Sequence, residues 1–389
     1  MKIFIVLLLI LLFACSQKTE LNWYKGNLHT HSYWSDGDEF PEMIMDWYKS
    51  HGYNLALTDH NTLAAGEKWK LIPKSPIRQK GFENYLAKYG RDWVIYREDT
   101  GRVSVKLKTL AEYRSLFEEN GRFLIIQGEE LSDSYDKKPL HMNINNLKNY
   151  VEPQHGNSVA EVLQNNINAA IRERENSGLK TMIHVNHPNF YYAISVDDMI
   201  SLNGERFFEL YNGHPSINNE GDSAHVSIER MWDMINIAYT KMGKPLMYGL
   251  ATDDTHNYHL FGAEYANAGR GWVMVHADRL EADALVTALE NGQFYATTGV
   301  ILSEYSYTDH RIRIAIKAEE SVRYEIHFIG LKEGKEDVEL FQSTEDTEVE
   351  FIVEPNMKFA RVKVISDKVM KNPVAIEGKE SAWTQPVTY

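Results

Sequence analysis

Seven short apolar segments, most of them followed by polar residues and a helical pattern, are the feature that most restricts the fold of this chain. Repetition of strand, polar loop and helix is typical of βα units, so the sequence predicts an α/β fold from residue 26 to about residue 278. Seven strands favour a barrel over an open sheet. The apolar segments are residues 26–28, 54–57, 123–126, 141–147, 181–185, 207–211 and 246–250.

Three helices between these strands can be predicted from apolar spacing and end signals. Apolar residues recur at i, i+3, i+4 and i+7 after Phe40, with Pro41 at the start of the pattern and Gly52 after its end. Ser158 and Glu161 have the spacing of a capping box, which predicts a second helix running towards residue 177. A third helix is expected over residues 280–291.

The periodicity changes after Gly299, where apolar and polar residues alternate. Alternation predicts half-buried antiparallel strands, here over residues 311–317, 324–328, 348–353 and 361–365. We therefore expect one large domain over residues 22–300, followed by a small C-terminal antiparallel β-sandwich over residues 301–389.

Residues 63–120 separate two predicted strands by more than an ordinary loop, which indicates an insertion. Between Lys68 and Lys108 it carries eleven Lys and Arg against four Asp and Glu, while the whole chain has a formal charge of −14. A solvent-exposed helical insertion with aromatic residues on its inner face explains this composition. A lid that attracts an anionic substrate is the alternative.

The first fifteen residues have the layout of an export signal. Lys2 precedes an apolar run over residues 3–14 that is too short for a permanent membrane span, and Cys15 follows it. Residues 12–15 resemble a bacterial lipobox, so we expect a lipoprotein anchored to a membrane through lipidated Cys15, at the periplasmic face or the cell surface. An ordinary cleaved secretory signal is the alternative. The net negative charge and the export signal argue against a stable nucleic-acid partner.

Metal-ligand residue types recur near the predicted strands. His29 and His31 have the i, i+2 spacing that places two imidazoles on one side of a strand, where both can reach one ion. Similar residues cluster near other strand ends, where a βα barrel builds its active site. They occur in the segments at residues 35–37, 58–61, 128–131, 141, 184–188 and 252–256.

These segments together resemble the polymerase and histidinol phosphatase (PHP) family over residues 26 to about 300. The resemblance rests on His29-Thr30-His31-Ser32, Ser35-Asp36-Gly37, Asp59-His60-Asn61, Gly128-Glu129-Glu130, His187-Pro188 and Asp254-Thr255-His256. It implies a distorted seven-stranded βα barrel, similar to a TIM barrel. Segments 269–272, 294–299 and 382–386 resemble a branch of the family named after carbamate-insecticide hydrolases.

The resemblance implies two or three divalent metal ions held by nine side chains. One ion would be bound by His29, His31, Glu130 and Asp254. Glu130 would bridge to a second ion bound by His141 and His187, and the third would be bound by Asp36, His60 and His256. Glu129 could take the place of Glu130, and His184 that of His187. Glu209 and Asp253 could accept hydrogen bonds from ligating imidazoles.

The implied chemistry is hydrolysis by a metal-activated hydroxide, without a serine or cysteine nucleophile. His60, Asp254 or His256 could protonate the leaving oxygen. Arg270 could bind a phosphate or carboxylate oxygen of the substrate, or instead make a salt bridge or a loop hydrogen bond. Imidazole and carboxylate ligands suit zinc, manganese or iron.

The sequence therefore predicts a metal-dependent, histidinol-phosphatase-like phosphoesterase acting on a small phosphorylated molecule or nucleotide. Hydrolysis of a carbamate or carboxylic ester at the same site is an alternative, and a catalytically silent binding lipoprotein is another. A phosphomonoesterase should have several cations near its ions, whereas a carbamate pocket should be apolar and aromatic.

Overall fold

The computed structural model describes residues 21–204, 206–374 and 377–389. The predicted signal peptide and lipobox, residues 1–15, lie outside the described residues. Within the described part of the chain, no helix has the length and apolar character needed to cross a membrane.

The described residues form nineteen strands and seven helices. The strands are β1 (Asn22–Asn27), β2 (Asn54–Leu57), β3 (Trp69–Leu71), β4 (Tyr96–Asp99), β5 (Arg102–Lys106), β6 (Ile125–Tyr135), β7 (Lys138–Asn145), β8 (Met182–Val185), β9 (Phe207–Asn212), β10 (Tyr248–Thr252), β11 (Trp272–Ala277), β12 (Phe294–Thr297), β13 (Leu302–Thr308), β14 (Arg311–Ile316), β15 (Tyr324–Lys332), β16 (Glu339–Thr344), β17 (Glu348–Ile352), β18 (Met357–Val369) and β19 (Lys379–Thr384). The helices are α1 (Pro41–Ser50), α2 (Pro76–Tyr89), α3 (Leu110–Phe117), α4 (Val159–Ser177), α5 (Val196–Ser201), α6 (Ile228–Met242) and α7 (Ala282–Glu290).

The three predicted helices correspond to α1, α4 and α7. Helix α4 is capped by the Ser158 side chain, which accepts a hydrogen bond from the backbone N–H of Glu161. The Glu161 carboxylate accepts from the backbone N–H of Asn157 instead of that of Ser158, so only half of the predicted capping box is present.

All seven predicted apolar segments correspond to strands that are neighbours in one sheet. In that sheet β1, β2, β6, β7, β8, β9 and β10 follow each other in chain order. The βα prediction is wrong at one place, because β7 runs antiparallel to both β6 and β8. A two-residue turn joins β6 to β7, and both of its residues, Asp136 and Lys137, have positive φ. This matches the right-handed twist of a hairpin.

The sheet is curled, but the described residues do not form a closed seven-stranded barrel. The edge of β1 that would close the barrel pairs antiparallel with β11 instead. At the other end, the chain after β1 meets the chain after β10 through a single bridge between Thr30 and Thr255. The backbone N–H of His31 donates to the Thr255 carbonyl at 3.0 Å there.

The same sheet continues without interruption past residue 300. β12 pairs with β19, and β18, β15 and β16 follow in order. β13, β14 and β17 form a separate three-stranded sheet that packs on this extension, with the rings of Phe328 and Phe351 stacked at 4.5 Å. Two packed layers are thus present after residue 300, and one of them is hydrogen-bonded to the preceding strands.

The predicted insertion forms a small sheet, ordered β3-β5-β4, together with α2 and α3. Its aromatic side chains pack on the loop before α1, with Tyr85 stacked on Phe40 at 4.0 Å. Two of its basic residues support the same loop, since Lys68 donates to the Trp34 carbonyl and Lys70 donates to the Ser35 carbonyl. The insertion therefore holds in place the segment that carries Asp36.

Candidate metal centre

All nine predicted ligands converge at one end of the curled sheet. The antiparallel direction of β7 explains why His141, near the start of its strand, lies beside the carboxyl ends of the other strands. The nine residues are His29, His31, Asp36, His60, Glu130, His141, His187, Asp254 and His256.

The Glu130 carboxylate lies at the centre of this cluster and is buried. Its Oε2 atom is 2.8 Å from Nδ1 of His60, and lies 3.2 Å and 3.4 Å from Nε2 of His31 and His29. Its Oε1 atom is 3.0 Å from Nδ1 of His141. Among the described residues, Oε2 has no hydrogen-bond partner in acceptable geometry.

A buried carboxylate oxygen without a donor is costly. A divalent cation shared with the surrounding imidazoles would satisfy it, and imidazole with carboxylate is a donor set that such cations prefer. The residues present therefore fit the metal ions that the sequence predicts.

Ligand atoms come together in three overlapping groups. These are His31, Asp36, His60 and His256; His29, His31 and Glu130; and His60, Glu130 and His141. Asp254 adds to the second group, because its Oδ1 atom is 3.2 Å from Nε2 of both His29 and His31. His187 lies against Glu130 with Nε2 3.4 Å from Oε1. The groups share members, so the division of the nine ligands among individual ions stays a prediction.

The loop carrying Asp36 is shaped by its close packing. Asp59 accepts hydrogen bonds from the backbone N–H of Ser32 at 2.8 Å and from the Ser35 hydroxyl at 2.6 Å. A side chain at Gly37 would place its Cβ 2.6 Å from the His31 carbonyl, so glycine is required there. These contacts leave the Asp36 carboxylate partly exposed, with Oδ1 3.4 Å from Nε2 of His256.

Two of the converging residues have strained backbones. His187 has φ of 27° and Asp254 has φ of 51°, both in the left-handed region. Non-glycine residues persist there when surrounding contacts hold them, and such strain is concentrated at functional sites.

Buried polar side chains next to the cluster fix the orientation of its ligand residues. Glu209 accepts from Nδ1 of His29 at 2.6 Å and from the backbone N–H of His187 at 2.9 Å, as predicted for an orienting acceptor. Asn212 donates to both Glu209 and Asp254, at 2.8 Å and 3.1 Å. Sequence reasoning did not single out this amide.

The second predicted orienting acceptor, Asp253, is not one, and that prediction is wrong. Its carboxylate accepts from the side chains of Asn27 and Tyr48 and from the backbone N–H groups of residues 269–271. Asp253 therefore fixes the turn after β10, while the next residue, Asp254, enters the cluster.

Arg270 does not line the cavity at the cluster. Its guanidinium group is buried and donates to the carbonyl oxygens of Gly213, Gly262, Tyr265 and Asn372. Of the two roles considered from the sequence, this placement matches the loop hydrogen bonds and not the binding of substrate oxygen.

The alternative ligands Glu129 and His184 lie away from the cluster cavity. Glu129 accepts from the backbone N–H of Val151 at 3.0 Å, and burial raises the pKa of its carboxyl to about 8. The ring nitrogens of His184 are buried and have no hydrogen-bond partner among the described residues. Burial lowers the pKa of that ring to about 4. The structure thus places Glu130 and His187, not these two, on the cavity.

The charges within the cluster reinforce each other. Burial alone would raise the pKa of Glu130 and Asp254, but the adjacent imidazoles outweigh it and hold both pKa values well below their usual range. Burial alone would lower the pKa of His60, but Glu130 and Asp36 raise it to about 11. Cations that bind there would therefore displace a proton from the His60 imidazole.

The cluster opens into a cavity of about 310 Å³. Besides the converging residues it is lined by Phe190, His214 and Ile217. Within the described part of the chain, no lysine or arginine lines this cavity. The three residues proposed from the sequence as proton donors, His60, Asp254 and His256, all reach it.

Sequence reasoning did not identify His214. It follows β9, just as the other cluster residues follow their strands, so the segment Asn212-Gly213-His214 carried the same positional signal. Burial lowers the pKa of its imidazole to about 4.

No protein-family model matches the sequence, and no curated protein matches it. Several solved structures are similar to the chain, and the three described below are 12–14% identical to it. A two-domain protein from Bacteroides vulgatus, described as containing a predicted PHP-like metal-dependent phosphoesterase, is 14% identical, with 94% of this chain and 95% of that chain covered and a TM-score of 0.40.

A protein from Bifidobacterium adolescentis, provisionally described as a metal-dependent phosphoesterase, is 12% identical over 62% of this chain and 91% of that chain, with a TM-score of 0.34. An amidohydrolase from Chromobacterium violaceum, solved with bound sulfate and no metal, is 14% identical over 69% of this chain and 96% of that chain, with a TM-score of 0.29. With TM-scores below 0.5, these similarities do not by themselves identify the function of this chain.

Proposed function

We propose that this chain is a metal-dependent hydrolase that cleaves phosphate esters of a small molecule or nucleotide. One observation carries the proposal: the buried Glu130 carboxylate lies among five imidazoles and leaves Oε2 without a hydrogen bond. Imidazoles gathered around a buried carboxylate form a donor set that divalent cations prefer.

The nine converging side chains would hold two or three divalent ions of zinc, manganese or iron. When bound, such ions lower the pKa of a coordinated water and neutralise negative charge at the reacting centre. The chain itself contributes orientation, because Glu209 fixes the His29 ring and Asn186 donates to Oε1 of Glu130 at 2.8 Å. A proton for the leaving oxygen would come from whichever of His60 and His256 is not bound to a cation, because the adjacent imidazoles keep the Asp254 carboxylate ionised.

A second candidate function is hydrolysis of a carbamate or carboxylic ester. It is favoured by the cavity lining, which includes Phe190 and Ile217 but no lysine or arginine among the described residues. A dianionic phosphate monoester would gain little binding energy from a lining without cationic side chains. A neutral or singly charged ester would pack well against the apolar side chains.

The location of the protein is proposed from the sequence of residues 1–15 alone. We propose that lipidation of Cys15 tethers the enzyme to a membrane, with the catalytic cavity facing an extracytoplasmic compartment.

The test is a set of initial rates on the metal-reconstituted mature chain, together with its metal content. The substrates are p-nitrophenyl phosphate, bis(p-nitrophenyl) phosphate and a naphthyl carbamate. Turnover of either phosphate ester with two or three bound ions supports the phosphoesterase, and turnover of the carbamate alone supports the second candidate.

Glu130→Gln serves as the inactive control, and Glu129→Gln serves as its matched neighbour. A chain that binds no ions after reconstitution, or that binds ions and cleaves none of the three substrates, would refute the proposed function.

A further inference from the structure

The imidazole of His214 is held in one orientation beside the metal cluster. Its Nδ1 atom accepts a hydrogen bond from the backbone N–H of Ser216 at 3.1 Å. Its own backbone N–H donates to the Asn212 side chain at 2.8 Å, and its carbonyl accepts from the backbone N–H of Ile217 at 3.1 Å. The turn therefore fixes both the backbone and the ring.

The Ser216 contact defines the protonation of the ring. An Nδ1 atom that accepts from a backbone N–H has a free lone pair, so the ring is neutral and its proton lies on Nε2. An Nε2 atom that carries a proton cannot bind a metal ion. If His214 were a ligand through Nε2, its Nδ1 would carry the proton and face another N–H group at 3.1 Å.

The Nε2 proton has no acceptor in the described part of the chain, although His214 lines the cavity. The ring packs edge-on against His256, with ring centres 5.3 Å apart, and against Phe190 at 6.4 Å. Since no lysine or arginine lines this cavity in the described residues, His214 is a neutral donor where an oxygen-rich substrate needs one.

We propose that Nε2–H of His214 donates a hydrogen bond to a non-leaving oxygen of the substrate, so that His214 is a substrate-binding residue and not a tenth metal ligand. The proposal rests on the proposed function, because it assumes a substrate with a phosphoryl or carbonyl oxygen at the cluster. In this proposal the neutral His214 side chain binds the substrate oxygen that a lysine or arginine side chain would bind in a more basic cavity.

The test compares His214→Phe with the wild-type chain, both reconstituted with metal. Phenylalanine keeps a planar ring but removes the N–H donor. We expect unchanged metal stoichiometry, together with a loss of about 10- to 100-fold in affinity for inorganic phosphate by calorimetry, and a similar loss in kcat/KM on the ester that the wild type cleaves.

His214→Gln retains an N–H donor and should recover part of that loss. His51→Phe changes an exposed histidine directly after α1 that stacks on Trp47, and it should alter neither the phosphate affinity nor kcat/KM. Loss of a bound ion in His214→Phe would overturn the inference, because His214 would then be a ligand.

Unchanged phosphate affinity and kcat/KM in His214→Phe would also overturn it, as would a wild-type chain that loads metal, binds no phosphate and cleaves no ester. Failure of the proposed function looks different, since it is the absence of turnover by the wild type on every ester. Weaker phosphate binding by the variant would support the role of His214 even then.

Discussion

Glu129 and Glu130 are consecutive residues of β6 whose carboxylates lie on opposite faces of the sheet. Glu130 lies among the imidazoles of the candidate metal centre. Glu129 is buried on the other side, where it accepts from the backbone N–H of Val151. Alternation along a strand thus gives two adjacent acidic residues entirely different surroundings.

Glu130→Gln should abolish high-affinity metal binding, because an amide replaces the anionic group shared by the ligand groups. Glu129→Gln, one residue away, should leave the metal stoichiometry unchanged. Metal content measured by mass spectrometry after reconstitution and desalting checks both expectations. Equal metal loss in the two variants would mean that the cluster tolerates no change in β6 and would remove the support for Glu130 as a ligand.

The pH dependence of stability should differ between wild type and Glu129→Gln. The folded-state pKa of Glu129 is about 8 against an ordinary value of 4.5, so folding takes up a proton between these pH values. This group therefore lowers the free energy of unfolding as the pH rises from about 4.5 to 8, by roughly 3 to 5 kcal/mol.

Glu129→Gln lacks this ionisation, and its glutamine oxygen can still accept from Val151. Urea unfolding at pH 5, 6.5 and 8 should show the variant gaining stability relative to wild type as the pH rises. A difference between the two chains that stays constant across this range would contradict the assigned pKa.

Glu209→Gln should weaken metal binding without removing a ligand. The Glu209 carboxylate fixes the His29 ring at 2.6 Å, and such orienting partners change metal affinity by about 10- to 100-fold. The measurement is competition with a chromogenic chelator. Asp253→Asn is the matched change in a buried carboxylate that contacts no ligand imidazole, so it should reduce stability and leave the affinity of correctly folded protein within about threefold. A larger loss of metal affinity in Asp253→Asn than in Glu209→Gln would refute the orienting role of Glu209.

Arg270→Met should destabilise the fold and leave substrate affinity unchanged. The substitution removes the donors for four carbonyl oxygens, at a cost of about 1 to 3 kcal/mol for each group that stays buried and unpaired. We expect a loss of at least about 3 kcal/mol in the free energy of unfolding, with KM within twofold at temperatures where the variant is folded. A raised KM with unchanged stability would restore Arg270 as a substrate-binding residue.

Much of the candidate site could be predicted because the chemistry of its residues is local in the sequence. His29 and His31 share a strand face by spacing alone, and the apolar segments locate the strands that carry the other ligands. The register between Glu129 and Glu130 could not be decided in this way, because both residues lie within one strand and only the packing on each face distinguishes them.

Three structural features that the sequence did not predict have a common physical origin. The antiparallel direction of β7, the loop contacts of Arg270 and the presence of His214 in the cavity all depend on which distant segments meet. Asn372, which accepts from Arg270, is 102 residues away from it in the chain. No periodicity in either segment encodes that contact.

The sequence by itself determined the seven apolar strands of the curled sheet, three of the helices and the types of residue available for metal binding, because periodicity and side-chain chemistry are properties of short segments. Only the tertiary structure decided how the sheet curls without closing and which of two neighbouring carboxylates enters the cluster. It also decided that Arg270 holds loops together while His214 lines the cavity. These outcomes depend on burial and on hydrogen bonds between segments far apart in the chain, whose energies arise only when the chain is folded.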